Sequence, residues 1–360
     1  MKKRILYIAP HRPGRSPGQR FRFEQFIDYF EQNNYQISYS YIVSAWGDKI
    51  LYAKGKYLFK LWIAIKAIFI RVYDWFRCKK FDLIIIYREA NFLGNIFFEK
   101  KFKASGVPIV FDFDDAIWLN DVSDGNSNLK WLKRPEKTAD IIALSNTVIA
   151  GNSYLAEYAR QYNSRVIVVP TSVNTDYYFT KSNTENSSVC IGWTGSSTTL
   201  KHFQEALPFL KKVKDKYGNK ISFKVIIDVD IELPELGLKS TKWTKETEIE
   251  ELNKIDIGIM PLPDDKWSKG KCGFKGIQYM ALGKPTVMSP VGVNTEIIRD
   301  GENGCLASDN EEWIEKLSKL IESKELREQL GEAGKQTIIK YYSVNTQQKI
   351  ILDVFNELIN

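Results

Sequence analysis

The sequence predicts an α/β fold in two similar units, each built on a parallel β-sheet. Short, continuous apolar runs of the kind that parallel sheets bury on both faces alternate with segments of helical periodicity. This alternation occurs in both halves of the chain, and 360 residues suffice for two domains that each bury a core. The polar run Lys181–Ser188 is the best linker candidate, which sets the predicted domains at 1–180 and 181–345.

The composition is that of a soluble globular protein, with 44% hydrophobic and 26% charged residues. Its four cysteines lack the spacing of a metal site or a disulfide framework, which predicts a reducing compartment. Two histidines are too few for a histidine-rich metal site. The N-terminal apolar run is too short for a signal peptide and indicates a first β-strand. We therefore expect a cytoplasmic protein.

The net charge of +7 is concentrated in the first half of the chain. Residues 1–180 hold 26 basic and 17 acidic side chains, a balance of +9, and residues 181–360 hold 25 and 27, a balance of −2. This asymmetry indicates an anionic partner for the first half, such as a membrane surface, a nucleic acid or a phosphorylated acceptor.

The first elements follow the parallel-sheet pattern. Arg4–Pro10 is an apolar strand, and a loop rich in proline, glycine and arginine follows it. Helical spacing of apolar residues begins near Gln19, and Tyr35–Val43 is the second strand.

The segment Lys54–Lys80 mixes apolar and aromatic residues with eight basic ones: Lys54, Lys56, Lys60, Lys66, Arg71, Arg77, Lys79 and Lys80. These charges interrupt it too often for a membrane-spanning helix. A basic helix that carries Trp, Tyr and Phe suits the headgroup region of a bilayer, where each basic residue adds about 1 kcal/mol near an anionic surface. The alternative is a core helix with basic ends. A nucleic-acid partner is not expected, because Leu, Ile and Val would have no role there.

Two further strands, Phe81–Tyr87 and Val107–Phe113, lead to a group of acids. Asp112, Asp114 and Asp115 end the second of them, and ligands gather at the carboxyl ends of parallel strands. The acids are therefore candidates for acceptor activation or sugar binding, and their mutual repulsion should raise at least one pKa. The alternative is that one aspartate caps a helix.

The remaining predicted elements continue the alternation. They are the strands Thr147–Ala150, Val166–Val169, Val189–Gly192, Phe223–Val229 and Asp256–Pro261, and the helices Ser153–Tyr162, Glu246–Lys254, Trp313–Ser323, Glu325–Tyr342 and Thr346–Leu358.

The stretch Lys269–Ile298 opens with a loop that contains Gly270, Lys271, Gly273, Lys275 and Gly276. A helix over residues 277–282 and a strand over residues 285–289 follow. A loop of glycine and lysine at a helix N-terminus suits a phosphate, because the helix dipole is positive there and glycine lets the backbone approach a ligand. The alternative is an ordinary strand-to-helix connection with solvated lysines.

The runs MALGKPTV and PVGVNTEIIRDGENGCL in this stretch resemble the donor-site signature of retaining GT-B glycosyltransferases of the family 4 (group 1) type. The resemblance is closest over residues 140–360. It implies two Rossmann-like domains facing across a cleft, with helix 346–360 packing back on the first. Two glutamates flank the loop in that family, and their positions here hold Gly270 and Gln278.

The resemblance also implies a donor site in the second domain. Ser196 replaces the family's phosphate-binding arginine, and Lys275 is positioned to supply the missing charge. Lysines and a helix dipole can neutralise a leaving diphosphate, so neither a metal nor a cofactor is expected. The implied donor-binding residues are Gly195, Ser196, Lys201, Trp243, Thr244, Lys271, Lys275 and Gln278.

On the acceptor side, Asp114 and Asp115 take the places of a His-Asp pair that faces the sugar in the family and are the implied catalytic residues. The loop after the first strand carries Gly18 and Arg20, with Arg12, Arg15 and Arg22, and is expected to face a phosphate or the acceptor. The alternative is a solvated basic loop.

The function implied is retaining transfer of a sugar from a nucleotide-sugar donor to a hydroxyl acceptor. The acceptor is expected to be a lipid-linked or cell-surface polysaccharide precursor, with the enzyme peripheral at the inner, cytoplasmic face of the membrane. Two alternatives stay open: a nucleotide-sugar epimerase of the same fold, and a catalytically degenerate partner subunit, which the absent glutamate pair would favour.

Overall fold

A computed structural model describes residues 2–119, 134–179 and 188–359. The chain divides into two compact units, Met1–Thr171 with Gln347–Asn360, and Ser172–Thr346. The division falls upstream of the predicted boundary at 180–181, and most of the predicted linker Lys181–Ser188 lies outside the described residues.

Six parallel strands form the sheet of the first unit: β1 (Lys3–His11), β2 (Tyr35–Val43), β3 (Leu83–Tyr87), β4 (Ile109–Phe113), β5 (Thr147–Ala150) and β6 (Val166–Val168). Their order is β2-β1-β3-β4-β5-β6. Ile5, Leu6 and Ile8 of β1 are fully buried, as in a strand that is covered on both faces. The order reverses between β1 and β3, so the carboxyl ends of these strands form the expected ligand-binding edge.

The helices of this unit before its last strand are α1 (Pro17–Arg22), α2 (Ile27–Gln32), α3 (Ala45–Leu51), α4 (Tyr57–Arg77), α5 (Phe97–Ala104), α6 (Lys137–Leu144) and α7 (Ser153–Arg160). The helix predicted from Gln19 is thus two helices. The first begins at Pro17, whose missing N–H removes a donor that a first helical turn leaves unsatisfied. The sequence analysis did not predict α3, α5 or α6.

The second unit contains another six-stranded parallel sheet and a short antiparallel pair. Its strands are β7 (Val189–Thr194), β8 (Ile221–Ile227), β9 (Glu232–Leu233), β10 (Leu238–Lys239), β11 (Thr241–Lys242), β12 (Ile257–Met260), β13 (Thr286–Met288) and β14 (Cys305–Leu306). The large sheet has the order β11-β8-β7-β12-β13-β14, which reverses between β7 and β12. Phe209 stacks on Trp313 in the core on one face, with ring centroids 4.6 Å apart.

The helices of the second unit are α8 (Leu200–Gln204), α9 (Leu207–Tyr217), α10 (Glu248–Asn253), α11 (Lys266–Lys269), α12 (Phe274–Ala281), α13 (Asn294–Ile297), α14 (Asn310–Glu322) and α15 (Lys324–Tyr341). The last helix, α16 (Val344–Ile359), rejoins the first unit. There the rings of Phe355 and Phe30 lie 5.0 Å apart, and the Tyr35 hydroxyl donates to Asn356 Oδ1 at 2.8 Å. The predicted fold class, α/β with two Rossmann-like units, is confirmed.

Candidate functional site

The carboxyl end of β7 is built around Trp193, whose side chain is buried. A Cβ atom on Gly195 would lie 2.1 Å from Trp193 Cη2, so only glycine lets the chain turn this closely over the indole. The Lys275 Nζ atom lies 5.6 Å from the centroid of the same ring, in a cation–π arrangement. Two of the predicted donor-binding residues, Gly195 and Lys275, therefore meet at one side chain.

Helix α12 begins at Phe274, not at Ile277 as predicted. Gly273 precedes it with φ of +66°, a conformation that favours glycine, and a Cβ atom there would lie 2.3 Å from Ile297 Cδ1. This start places Lys275 in the first turn of the helix, where the helix dipole adds partial positive charge. The positive charge of Lys275 and the positive end of the α12 dipole therefore lie at the same end of the helix.

Three predicted donor-binding lysines lie near His202, a buried residue of α8. Burial, and then the charges of Lys275, Lys271 and Lys201, lower the pKa of His202 to about 4, while Asp265 opposes the shift. The imidazole is therefore neutral at pH 7, and the charges of all three lysines act on it. We call Lys201, Lys271 and Lys275 the lysine cluster.

Hydroxyl groups hold the turn that follows β7. Ser196 and Thr199 form a capping box, in which the Ser196 N–H donates to Thr199 Oγ1 at 3.0 Å. The Ser197 N–H donates to Asp228 Oδ1 at 2.6 Å. Ser196, which takes the position of the family's arginine, therefore shapes the turn, and the supply of the missing charge by Lys275 stays a prediction.

Trp243 and Thr244 directly follow β11, beside the carboxyl end of the neighbouring strand β8. The Trp243 N–H donates to the Ile227 carbonyl at 2.9 Å. Thr244 Oγ1 accepts from the Thr247 N–H at 3.2 Å, just before α10 begins. Both side chains are half-buried. The predicted donor-binding residues are thus distributed along one edge of the second sheet.

A buried carboxylate, Glu248, links two of these predicted residues. Its Oε1 atom accepts from Trp243 Nε1 at 3.0 Å and from Gln278 Nε2 at 3.3 Å, and its Oε2 atom accepts from the Tyr178 hydroxyl at 3.2 Å. Gln278 Nε2 also donates to the Tyr178 oxygen at 2.8 Å. We call these four residues the Glu248 network.

The Gln278 side chain is buried and its amide faces Glu248 and Tyr178, and its role as a donor-binding residue stays a prediction. The carboxylate in this region belongs to α10, whereas the family signature has it on α12. Sequence reasoning missed Glu248 because its partners lie 5, 30 and 70 residues away along the chain. The available signal was an acid five residues after Trp243, a predicted donor-binding residue.

At the carboxyl ends of β3 and β4, Asp114 and Asp115 share one arginine. Arg88 Nε donates to Asp114 Oδ1 at 2.8 Å, and its Nη2 donates to Asp115 Oδ2 at 2.5 Å. The Tyr87 hydroxyl donates to Asp114 Oδ1 at 2.7 Å. A Cβ atom on Gly18 would lie 2.0 Å from the Tyr87 hydroxyl oxygen. Gly18, Asp114 and Asp115 thus come together, joined by two residues that the sequence analysis did not single out.

Arg88 has φ of +64°, a conformation that costs a non-glycine residue about 1–3 kcal/mol and is frequent at functional sites. Burial lowers the pKa of Arg88, but Asp114, Tyr87 and Asp115 outweigh this effect and raise it well above its usual range. Among the three acids, Asp112 has a raised pKa. Burial is the main cause and Asp114 adds a smaller contribution, so repulsion is not the leading reason.

Asp48 pairs with two arginines of the loop after β1. Arg12 pairs with Asp48, and Arg15 Nε donates to the same carboxylate at 3.1 Å. His11 Nδ1 lies 3.3 Å from it. The expectation of a basic loop that faces a phosphate is therefore weakened here by an acid from α3.

The other two arginines of this loop region are buried. Arg22 pairs with Asp112 at the core of the unit, so its predicted role toward a ligand is wrong. The Arg20 guanidinium lies 4.9 Å from the ring of Phe21. A role of Arg20 in binding the acceptor stays a prediction.

Helix α4 presents an apolar face to solvent. Eight of its large side chains are more than half exposed: Tyr57, Leu58, Phe59, Leu61, Trp62, Phe69, Tyr73 and Phe76. The opposite face is buried and includes Lys60 and Arg71, which corrects their assignment to a basic surface. Arg71 instead pairs with Asp74 at 2.8 Å and donates to the carbonyls of Ala9 and Ala90.

In residues 2–119, 134–179 and 188–359, no helix is long and apolar enough to cross a bilayer. The same residues contain no group of three or more His, Cys, Asp and Glu side chains that could hold a metal ion. The absence of a metal from the reaction stays a prediction.

Part of the second unit is similar to a known family. Residues 235–337 match the family "Glycosyl transferases group 1". Two uncharacterized glycosyltransferases of Methanocaldococcus jannaschii are also similar: MJ1178, 41% identical over 71 residues, and MJ1069, 36% identical over 86 residues. These segments cover 19% and 23% of this chain, and only 20% and 22% of those proteins.

Solved structures resemble the whole chain. A glycosyltransferase from Rickettsia africae has a TM-score of 0.70 at 14% identity, covering 100% of this chain and 99% of that one. Sucrose-phosphate synthase from Thermosynechococcus elongatus has a TM-score of 0.69 at 12% sequence identity, and the match covers 99% of both chains. Anabaena HepE in complex with UDP-glucose has a TM-score of 0.67 at 13% identity, and the match covers 98% of this chain and 99% of that one. Residues 235–337 of the second unit are thus similar to group 1 glycosyl transferases, and the chain has the GT-B fold.

Proposed function

We propose that the protein is a glycosyltransferase that moves a sugar from a nucleotide-sugar donor to a hydroxyl acceptor with retention of configuration. The lysine cluster carries this proposal, because it lies at the ligand-binding edge of the unit that contains the group 1 sequence. When the bond from the anomeric carbon to the diphosphate breaks, its electron pair stays on the diphosphate oxygen. Cations placed there stabilise this leaving group more than the intact donor, which lowers the barrier.

The Glu248 network is proposed to hold the nucleoside end of the donor. Trp243 offers an indole face on which a base can stack, and the bond from its Nε1 to Glu248 fixes the ring orientation. The similarity to HepE, whose crystal contains UDP-glucose, supports a UDP-sugar as the first donor to test.

The acceptor is proposed to bind the first unit. Its hydroxyl oxygen bonds to the anomeric carbon as the bond to the diphosphate breaks, and its proton passes to the departing diphosphate oxygen. We place Asp114 and Asp115 at this hydroxyl. Arg88 contacts both carboxylates and fixes their positions. This arrangement supports a role in orienting the acceptor.

The exposed aromatic face of α4 supports a membrane-bound acceptor. Large apolar patches on soluble proteins mark interaction sites, and basic residues flank this one at both ends of the helix. We propose that the protein is cytoplasmic and peripheral at the inner face of the membrane, where it glycosylates a lipid-linked or cell-surface polysaccharide precursor.

The first experiment is a thermal-shift screen with UDP, GDP, ADP and their sugars, followed by transfer of a radiolabelled sugar to extracted membrane lipids. A ligand at 100 times its Kd stabilises the native protein by about 2.7 kcal/mol. We expect one nucleotide to raise the melting point and its sugar to enter the lipid fraction, with and without EDTA. Conversion of the sugar without an acceptor would indicate an epimerase. No nucleotide binding at all would indicate a degenerate subunit.

A further inference from the structure

An open groove of about 660 Å³ runs between α4 and β2, the edge strand of the first sheet. Trp62, Phe69 and Tyr73 form the wall on the helix side, and Tyr39 and Tyr41 form the wall on the strand side. This volume is within the range of small-molecule sites. The lining extends from Trp62 to Arg77, a length of about 22 Å at 1.5 Å per helical residue.

The helix wall of the groove belongs to the exposed face of α4. Trp62, Phe69 and Tyr73 are 59%, 69% and 63% exposed, and they follow one another at helical spacing. An aromatic side chain has roughly 150–250 Å² of surface in all, and more than half of it is exposed at these three positions, so a partner that covers this wall would remove a large apolar area from water.

The charges at the groove favour an anionic ligand. Asp74 is the acid of the lining, and it is bound by both Arg71 and Arg77, at 2.8 and 2.9 Å. Lys66 is exposed and forms no ion pair among the described residues. The groove therefore combines aromatic walls with an ammonium group that no acid offsets.

We propose that this groove binds one hydrocarbon chain of a phosphate-bearing lipid, with the chain between the aromatic walls and the phosphate at Lys66. The inference rests on the proposed function only for the membrane location. Its new element is a site for one lipid molecule, which is distinct from general contact with a bilayer. A peptide that pairs with the edge strand β2 is the competing occupant, but it would leave the cationic rim without a function.

The test is calorimetric titration of the full chain with monomeric lysophosphatidate below its micelle concentration. Tyr41→Asp puts a charge in the groove without changing α4. The matched control, Leu58→Asp, puts the same charge on the exposed face of α4 outside the groove lining. Both positions are exposed, so both variants should fold, which their melting curves would verify.

We expect saturable binding of one lysophosphatidate per chain, weakened at least 10-fold by Tyr41→Asp and by Lys66→Glu and unchanged by Leu58→Asp. A lysolipid with an uncharged headgroup and inorganic phosphate alone should both bind at least 10-fold more weakly. Absence of saturable binding, equal effects of Tyr41→Asp and Leu58→Asp, or a peptide that competes for the groove with higher affinity would overturn the proposal. Nucleotide binding and vesicle sedimentation of the wild type test the proposed function separately.

Discussion

Replacing Glu248 with alanine should destabilise the second unit more than any neighbouring surface change. The carboxylate accepts from Trp243, Gln278 and Tyr178, and it is buried. Without it, the Trp243 N–H and the Tyr178 O–H lose this acceptor. Gln278 keeps its bond to the Tyr178 oxygen, so its loss is partial.

The size of the effect follows from these contacts. Losing the acceptor of a buried donor such as the Tyr178 O–H costs about 1–3 kcal/mol, whereas the N–H of the half-buried Trp243 can donate to water and adds less. Removing the carboxylate also removes the cost of burying its charge, which offsets part of this loss. We expect Glu248→Ala to cost about 1.5–3 kcal/mol. Glu248→Gln, which keeps the shape and one acceptor oxygen, should cost about 1 kcal/mol.

Urea titration followed by circular dichroism measures these changes as shifts in the midpoint at constant slope. Glu246→Ala is the matched control, because Glu246 is an exposed acid two residues away and its loss should stay within about 0.5 kcal/mol. If Glu248→Ala were no more destabilising than this control, the Glu248 network would not stabilise the second unit. The proposal that it holds Trp243 in place would then be wrong.

Two further predictions concern the acid pair and His202. Gly18→Ala places a Cβ atom 2.0 Å from the Tyr87 hydroxyl oxygen and 2.8 Å from Asp114 Oδ2, so it should displace Asp114. We expect the transfer rate to fall about 100-fold and the nucleotide affinity to stay unchanged. Equal transfer rates for the variant and the wild type would show that Asp114 has no role in the reaction. The pKa of His202 is about 4 in the folded state against 6.5 unfolded, so the unfolded chain binds more protons between these values. Its contribution to stability is therefore complete above pH 6.5 and is lost as the pH falls toward 4, by at most about 3 kcal/mol. His202→Gln should flatten the pH dependence of the urea midpoint between pH 6.5 and 4. An unchanged profile would show that His202 does not cause this loss of stability.

Local patterns were sufficient to predict the sheets. The bounds of β2, Tyr35–Val43, agree with the sequence analysis, because a run of apolar and aromatic residues between polar turns admits one interpretation. The short helix α3 was missed although Ser44 caps it, accepting from the Gly47 N–H at 3.1 Å. A single capping serine is a weaker signal than apolar periodicity.

Residues of the candidate site that belong to a short motif could be predicted from the sequence. Contacts between residues that are far apart in the chain could not. Gly195 and Lys275 were identified from the sequence, but their meeting at Trp193 depends on how β7 and α12 pack. Arg22 gave the opposite error, because a basic residue in a loop predicts exposure and its partner Asp112 lies 90 residues away. Long-range pairs of this kind follow from topology, which short-range sequence patterns do not encode.

The most direct test of the account is calorimetry of the best-binding nucleoside diphosphate with the wild type, Lys201→Ala and Lys275→Ala. Lys212→Ala is the control, an exposed lysine of α9 outside the lysine cluster. The account predicts that each cluster variant weakens binding by about 1.5–3 kcal/mol, or about 10- to 150-fold, whereas Lys212→Ala binds like the wild type. Wild-type affinity in both cluster variants would contradict the claim that these lysines hold the departing diphosphate.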